Sequence, residues 1–270
     1  MTFPAIDPVH TAEAPLLNVD GVTLRYKTPQ HLVTATYKVS FQVHEAERFV
    51  ILGPSGCGKS TMLKAIGGFM PVADGEIRLR DKIVRGPGPD RMMVFQEFEQ
   101  LMPWKTVLQN VTFPMVVTGR FGRKEARDRA LSMLDKVNLS KFADVYPHML
   151  SGGMKMRVAI ARAMAMEPEV LLMDEPFAAL DALTRRKMQD ELLGLWDQLR
   201  FTVLFVTHSI EEAIIVGSRI LVLSPHPGRV RAELNSSSSF DAARREALSK
   251  RIHHLLFEEA VEPEPERALA

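Results

Sequence analysis

The sequence predicts an α/β fold: a core of buried parallel-type strands, an antiparallel β part on its N-terminal side and a helical part inserted in the middle. Three observations carry this. Continuous apolar runs of strand length recur as "RFVILG", "VLLMD", "TVLFVTH" and "RILVLS", separated by stretches of helical period. Two early stretches, "LLNVDGVTLRY" and "HLVTATYKVSFQV", instead alternate as one-sided antiparallel strands do. From Lys105 to about Leu139 the pattern is helical without an intervening strand.

In chain order, residues 1–15 hold three prolines and little periodicity, and read as a flexible leader. After "RFVILG", the stretch "TMLKAIGGF" has helical spacing and stops at a glycine pair. "GEIRLRDKIV" reads as a short hairpin and "RMMVFQ" as a strand. In "KEARDRALSMLDKVNL", Ala130, Leu131, Leu134 and Val137 share a helix face. Between "VLLMD" and "TVLFVTH" lies a helix with Met188, Leu192, Leu195, Trp196 and Leu199 on one stripe, a core stripe rather than a binding surface. The tail changes character at Asn235. Ser236 to Ser239 read as a linker, and a basic helix with Ala247, Leu248, Ile252, Leu255 and Leu256 on one side is expected to dock on the domain. "EPEPE" is expected to be disordered.

Composition narrows the classes. The 270 residues can bury a sizeable core, and 34 Lys plus Arg against 33 Asp plus Glu gives no field that implies nucleic acid or acidic lipid. No apolar stretch approaches the roughly 20 residues of a spanning helix, and the first residues lack a signal-peptide pattern, so a cytoplasmic location with membrane association through a protein partner is expected. The single cysteine, Cys57, excludes an internal disulfide.

The chemistry begins at "ILGPSGCGKST". Gly53, Gly56, Gly58, Lys59, Ser60 and Thr61 fit G-x-x-x-x-G-K-[ST] between a strand and a helix, the context in which such a loop cradles phosphates. Pro54, Ser55 and Cys57 complete the loop. Its glycines let backbone amides approach phosphate oxygens, Lys59 can neutralise β and γ phosphates, Ser60 can hold Mg²⁺, and the helix N-terminus adds its dipole. As a thiol beside the phosphates, Cys57 is expected to react with maleimide, inactivating the protein, and to be protected by the bound nucleotide. "VLLMDE" ends in two carboxylates: Asp174 can reach a metal shell and Glu175 can polarise a water. "LSGGM" places the Ser151 hydroxyl and the amides of Gly152 and Gly153 at a second helix start, a second anion site that is explained if it serves the nucleotide of another copy.

Taken in order, residues from about Leu16 to Leu234 resemble the ATP-binding subunits of ABC transporters. Gln96 in "VFQ" matches the family's glutamine loop, Asp181 in "AALD" and His208 in "VTH" match two further loops, and Tyr26 lies where the family stacks an aromatic on adenine, or else is simply packed. The resemblance implies a P-loop NTPase core with an antiparallel β subdomain and an inserted α-helical (signature) subdomain over about 97–165, all within 16–234, followed by the 235–270 tail. It also implies a head-to-tail homodimer sandwiching two ATP molecules. Lys59, Ser60, Gln96 and Asp174 would hold phosphate and Mg²⁺, Glu175 would be the general base, and His208 would contact the γ-phosphate. From across the interface would come Ser151, Gly152, Gly153 and Asp181.

"EFEQLMPWKTVLQNV", "DEPFAALDALTR" and "LSPHPGRV" are similar to importer ATPases for nitrate, sulfonate, taurine and related solutes. The partners so implied are a transmembrane permease and, indirectly, a periplasmic or extracellular solute-binding protein, with no nucleic acid and a peripheral place on the cytoplasmic face of the inner membrane. Met102, Pro103 and Trp104 would line a groove for the permease, unless Trp104 packs inside the helical part. A soluble ABC ATPase acting on nucleic acid or ribosomes is the alternative, but such proteins usually fuse two units or insert long arms. A GTPase or small-molecule kinase would need an explanation for "LSGGM", and a GTPase an N-K-x-D that is absent. Three departures from the family pattern stand out: Glu47-Arg48 where Gly-Glu is common, Met156 for a glutamine and Ser209 for an aspartate.

Overall fold

Strand pairing sorts the chain into two sheets. The computed structural model describes residues 14–27, 32–96, 100–236 and 241–257. Most of the expected leader, Ser237 to Ser239 and the acidic end lie outside the described residues.

The first sheet is antiparallel and holds β1 (Leu17–Lys27), β2 (Leu32–Val43), β4 (Asp74–Leu79) and β5 (Lys82–Ile83) in the order β2-β1-β4-β5. The second runs β10-β9-β3-β8-β7-β6, built from β3 (Arg48–Leu52), β6 (Arg91–Val94), β7 (Val170–Asp174), β8 (Thr202–Thr207), β9 (Arg219–Leu223) and β10 (Val230–Asn235). All its neighbours are parallel except β10, which pairs antiparallel with β9 at the edge.

The apolar runs are continuous because this sheet is covered on both faces, and period-two alternation then deals successive side chains to two different cores. Phe49, Ile51, Val170, Leu172, Leu204, Val206, Leu221 and Leu223 join the core shared with the antiparallel sheet and with Met62, Leu63 and Ile66 of α1 (Lys59–Ile66). Val50, Leu52, Leu171, Met173, Val203, Phe205, Ile220 and Val222 face the other core. That second core is closed by α2 (Val107–Val117), α3 (Arg123–Lys136), α4 (Gly152–Met164), α5 (Ala182–Leu199), α6 (Ile210–Val216) and α7 (Ala242–Phe257). Each fully buried aliphatic side chain contributes about 1.5–3 kcal/mol, so a one-residue slip of any central strand would exchange its two sets of contacts.

Helix starts follow local chemistry. Thr106 and Gln109 form a reciprocal capping box at α2, and Ser151, Asp181 and Ser209 each accept a backbone N–H at the starts of α4, α5 and α6. The helical stretch 105–139 is broken at Thr118 to Gly122, where Pro114 has already removed one backbone donor from α2 and Gly119 takes φ +68°.

Four expectations are corrected. In α3 the buried stripe is Ala126, Ala130 and Leu134, while Leu131 is exposed, because the helix turns its i, i+4 row inward. In α7 the docked residues are Leu248, Ile252 and Leu256, with Ala247 exposed and Leu255 partly buried. Ser236 is not linker: it is buried, donating its N–H to Ser218 O (2.8 Å) and its hydroxyl to Ile214 O (3.1 Å), which anchors the end of β10. The departure placed at Glu47-Arg48 lies one residue earlier, since it is Ala46 that holds the left-handed backbone (φ +54°) a glycine would favour. Glu47 accepts from His44 N (2.8 Å) and from Arg219, and Arg48 stacks 4.0 Å from the Trp196 ring.

Ala46→Gly is expected to relieve this strain and raise stability by about 1 kcal/mol, read as a higher midpoint in thermal unfolding. A midpoint that falls would show that the Ala46 backbone is not strained.

Candidate functional site

Sheet order alone brings the first group of residues together. β8 lies between β3 and β7, with Leu52 level with Thr207 and Asp174 level with Val206, while Val94 at the end of β6 is level with Met173. The residues that follow each strand therefore emerge side by side at one edge: Gly53 after β3, His208 after β8, Glu175 after β7 and Gln96 after β6. This is the carboxyl edge at which open α/β sheets carry their ligands.

The glycine loop occupies the centre of that edge. Gly58 has φ +94°, and a Cβ there would lie 2.6 Å from Thr36 Cγ2 and 2.7 Å from Ala35 O, so no other residue fits. Lys59, almost fully buried, donates from Nζ to Gly53 O (2.8 Å) and Pro54 O (3.1 Å) and stands 3.8 Å from Glu175 Oε1. Its ammonium is thus held over the loop whose amides would receive phosphate oxygens.

Two further contacts fix the acidic side. Ser60 Oγ donates to Asp174 Oδ1 at 2.7 Å. Burial pushes the Asp174 carboxyl above the usual aspartate range, against the pull of that hydrogen bond. Glu175 takes the left-handed backbone (φ +43°), a conformation costing about 1–2 kcal/mol and held here by its N–H to Val206 O (3.1 Å) and its carbonyl to Ala178 N (3.1 Å). Its Oε2 lies 2.9 Å from His208 Nδ1, with the imidazole half-exposed at the mouth of the site. A lysine, two carboxylates and an imidazole therefore converge where a phosphate chain and a water could be placed.

Ser60 and Asp174 supply hard oxygen donors in mutual contact, and no group of three or more His, Cys, Asp and Glu forms a metal cage among the described residues. That set fits Mg²⁺, which keeps waters and is carried mainly by substrate phosphates rather than by an all-protein cage.

Other candidates fall elsewhere. Ser151 caps α4, accepting from Met154 N at 3.4 Å, and Gly152 and Gly153 form its first turn; α4 packs on α2, α3, α5 and β6, whereas α1 packs on β1, β7 and β8. The two anion-ready helix starts thus belong to opposite faces of the sheet. Asp181 caps α5 through Thr184 N (3.0 Å), and that hydrogen bond holds its exposed carboxyl below the usual aspartate range. Tyr26, near the end of β1, is 44% exposed, which leaves a ring face for stacking instead of packing it away. Gln96 is exposed.

Trp104 is 71% exposed, so it is not a core residue of the helical part. What holds its loop is Asn110, fully buried on α2: Oδ1 accepts from Met102 N (2.8 Å) and Nδ2 donates to the carbonyls of Met102, Lys105 and Thr106 (3.0–3.1 Å). A polar residue on the apolar stripe between Val107 and Val111 was the available sign of this staple. Arg162 does similar work on α4, donating to Gln100 O (2.7 Å), while Gln100 closes on Phe95 beside Gln96.

Cys57 requires a correction. Its thiol does not face the phosphate side: it is fully buried, and a Cβ on Gly53 would come within 2.7 Å of its Sγ. Burial also pushes its pKa up, outweighing the nearby Lys59. Of the unusual residues, Met156 is buried in the core and Ser209 caps α6 through Glu212 N (3.3 Å), the same service an aspartate gives.

The chain has recognisable relatives among known proteins. The family model described as ABC transporter matches residues 36–178. The chain is 51% identical over 224 residues to the Taurine import ATP-binding protein TauB of Rhizobium johnstonii, covering 82% of this chain and 84% of that protein. It is 44% identical over 220 residues to the protein of the same name from Yersinia pestis, covering 82% and 84%. Among solved structures it resembles the dimeric post-hydrolysis state of the ATP-binding cassette MJ0796 bound to ADP and Pi, with TM-score 0.71, 35% identity and coverage of 82% of this chain and 99% of that one.

Native protein is expected to react with maleimide at Cys57 at least roughly tenfold more slowly than urea-unfolded protein, because burial both hides the thiol and disfavours its thiolate. Equal rates in the two states would place the thiol at the surface.

Proposed function

We propose, from the premise that this chain belongs to the ABC transporter family, that it is the ATP-binding and hydrolysing subunit of an importer for a small solute of the taurine, sulfonate or nitrate kind. The observation that carries the reading is the meeting of Lys59, Asp174, Glu175 and His208 at one sheet edge, with a second anion-ready helix start, Ser151 to Gly153, on the opposite face. The taurine importer names of the relatives supply the solute class, and the dimeric cassette supplies the mode of assembly.

In this reading two copies pair head to tail. The loop from Gly53 to Thr61 of one copy receives the phosphates of ATP, with Pro54, Ser55, Gly56 and the backbone at Cys57 and Gly58 as its rim, and Tyr26 stacks on the base. Lys59 leaves its present carbonyl partners to balance β and γ phosphate charge. Ser60, Asp174 and Gln96 hold Mg²⁺, which when bound neutralises the β and γ oxygens. Glu175 accepts the proton of the attacking water, and His208 orients the γ-phosphate while its Nδ1 steadies Glu175. Ser151, Gly152, Gly153 and Asp181 of the second copy close the site.

The energy is delivered through the Trp104 loop. No helix among the described residues is long and apolar enough to cross a membrane, and the reading places the subunit on the cytoplasmic face beneath a permease. Asn110 holds Met102 to Thr106 in one shape before any partner arrives, so docking costs little ordering entropy. The solute-binding protein acts on the far side and touches this chain only through the permease.

Two outcomes follow. Glu175→Gln should bind ATP and dimerise in its presence while turnover falls roughly 100-fold or more, the weight of a lost general base; wild-type turnover would remove Glu175 from that role. Trp104→Ala should lose solute uptake in vesicles containing the permease while permease-free hydrolysis persists. Uptake at the wild-type rate would move the contact elsewhere.

A further inference from the structure

One buried carboxylate is used by nothing in the mechanism above. Glu212 lies on α6, is only 6% exposed, and burial pushes its carboxyl above the usual glutamate range. An apolar residue of the same size would be cheaper at such a place, since burying a carboxylate is repaid only by good partners. Its partners are well defined. Thr207 Oγ1 donates to Glu212 Oε2, and Gln189 Nε2 on α5 donates to Glu212 Oε1 at 3.2 Å.

The chain of contacts leads to the site. Thr207 Oγ1 also accepts the Ser209 N–H at 3.0 Å, so one hydroxyl spans the residue on each side of His208. Ser209 Oγ in turn accepts the Glu212 N–H. The peptide turn that carries His208 is thereby tied to the interior at both ends, and the ring it presents meets Glu175 Oε2 at 2.9 Å. On the other side, Gln189 belongs to α5, the helix capped by Asp181.

We infer that Glu212 is a positioning residue for ATP hydrolysis: through Thr207 it fixes the turn that aims His208 at Glu175, and through Gln189 it fastens that turn to the helix that begins at Asp181. The inference rests on the reading of His208 given above. It assigns Glu212 no contact with ATP or water. Its energetic logic is that of a second layer of hydrogen bonds holding a reacting group within a fraction of an ångström.

The test uses full-length protein with purified ATP hydrolysis, ATP binding and thermal unfolding measured on each variant. Glu212→Met keeps the volume and removes the acceptor; it should fold, with an unfolding midpoint moderately below wild type because buried Thr207 and Gln189 each lose a hydrogen-bond partner. Its kcat should fall by roughly tenfold to a hundredfold, the range for a slightly misplaced catalytic group, with KM for ATP within about twofold. Glu212→Gln should recover part of kcat, and Thr207→Val should reproduce the loss. In a His208→Ala background, Glu212→Met should cost nothing more, because the two act as one unit.

The inference is overturned if Glu212→Met retains wild-type kcat, or if it loses the same factor with and without His208. A loss confined to KM or accompanied by a collapsed midpoint in all the Glu212 and Thr207 variants assigns the network to folding alone and equally overturns it. If His208→Ala keeps full turnover while the Glu212 variants do not, the reading of His208 is what fails, and the inference falls with it by a separately visible route.

Discussion

Everything at the site depends on the parallel pairing of β3, β8 and β7 in one register. Leu52 opposite Thr207 and Asp174 opposite Val206 leave Gly53 level with His208 and Glu175 one residue behind them, with residues far apart in sequence brought within hydrogen-bonding reach. That register is itself enforced by two-sided burial, since every apolar residue of these strands is committed to one of two cores. The chemistry is thus set by a constraint made of aliphatic and phenyl groups buried away from the site's edge.

Superimposed on this apolar frame are a few buried polar staples, each aiming a segment at the surface. Asn110 holds the Trp104 loop, Arg162 and Gln100 hold the stretch next to Gln96, and Glu212 with Thr207 holds the His208 turn. A buried hydrogen-bonding group contributes about 1 kcal/mol net when fully satisfied and costs more than that when one partner is removed. Such residues therefore do little for stability compared with their aliphatic neighbours and a great deal for conformational uniqueness.

The phosphate loop shows the opposite strategy, in which function is secured by leaving atoms out. Thr36 and Ala35 of the antiparallel sheet press on Gly58 from below, and the carbonyl of Cys57 lies 2.1 Å from where a Cβ on Gly228 would stand. The loop is consequently held from two sides, by β2 and by the turn between β9 and β10. Cys57 is one of the pegs in that packing, which is why its sulfur lies inward although its neighbours in sequence face the opening.

By itself the sequence determined the order and type of most strands and helices (the short helix α6 and the edge strand β10 excepted), the glycine loop, the Asp174-Glu175 strand end and the second helix start at Ser151, because each is written in contiguous residues with a local physical cause. It also placed Trp196 in the core and α7 against the domain. Only the tertiary structure decided that Cys57 is buried, that Leu131 faces outward and Ala126 inward, that Ala46 carries the left-handed backbone, that Trp104 is exposed, and that Glu212, Gln189 and Thr207 form one network. Those outcomes turn on which neighbours arrive from other parts of the chain: Glu212 and Gln189 are separated by 23 positions and Ser60 and Asp174 by 114. Periodicity reports that a side chain has an inward or outward face, but the partner waiting there is supplied by sheet order and register, which no local pattern encodes.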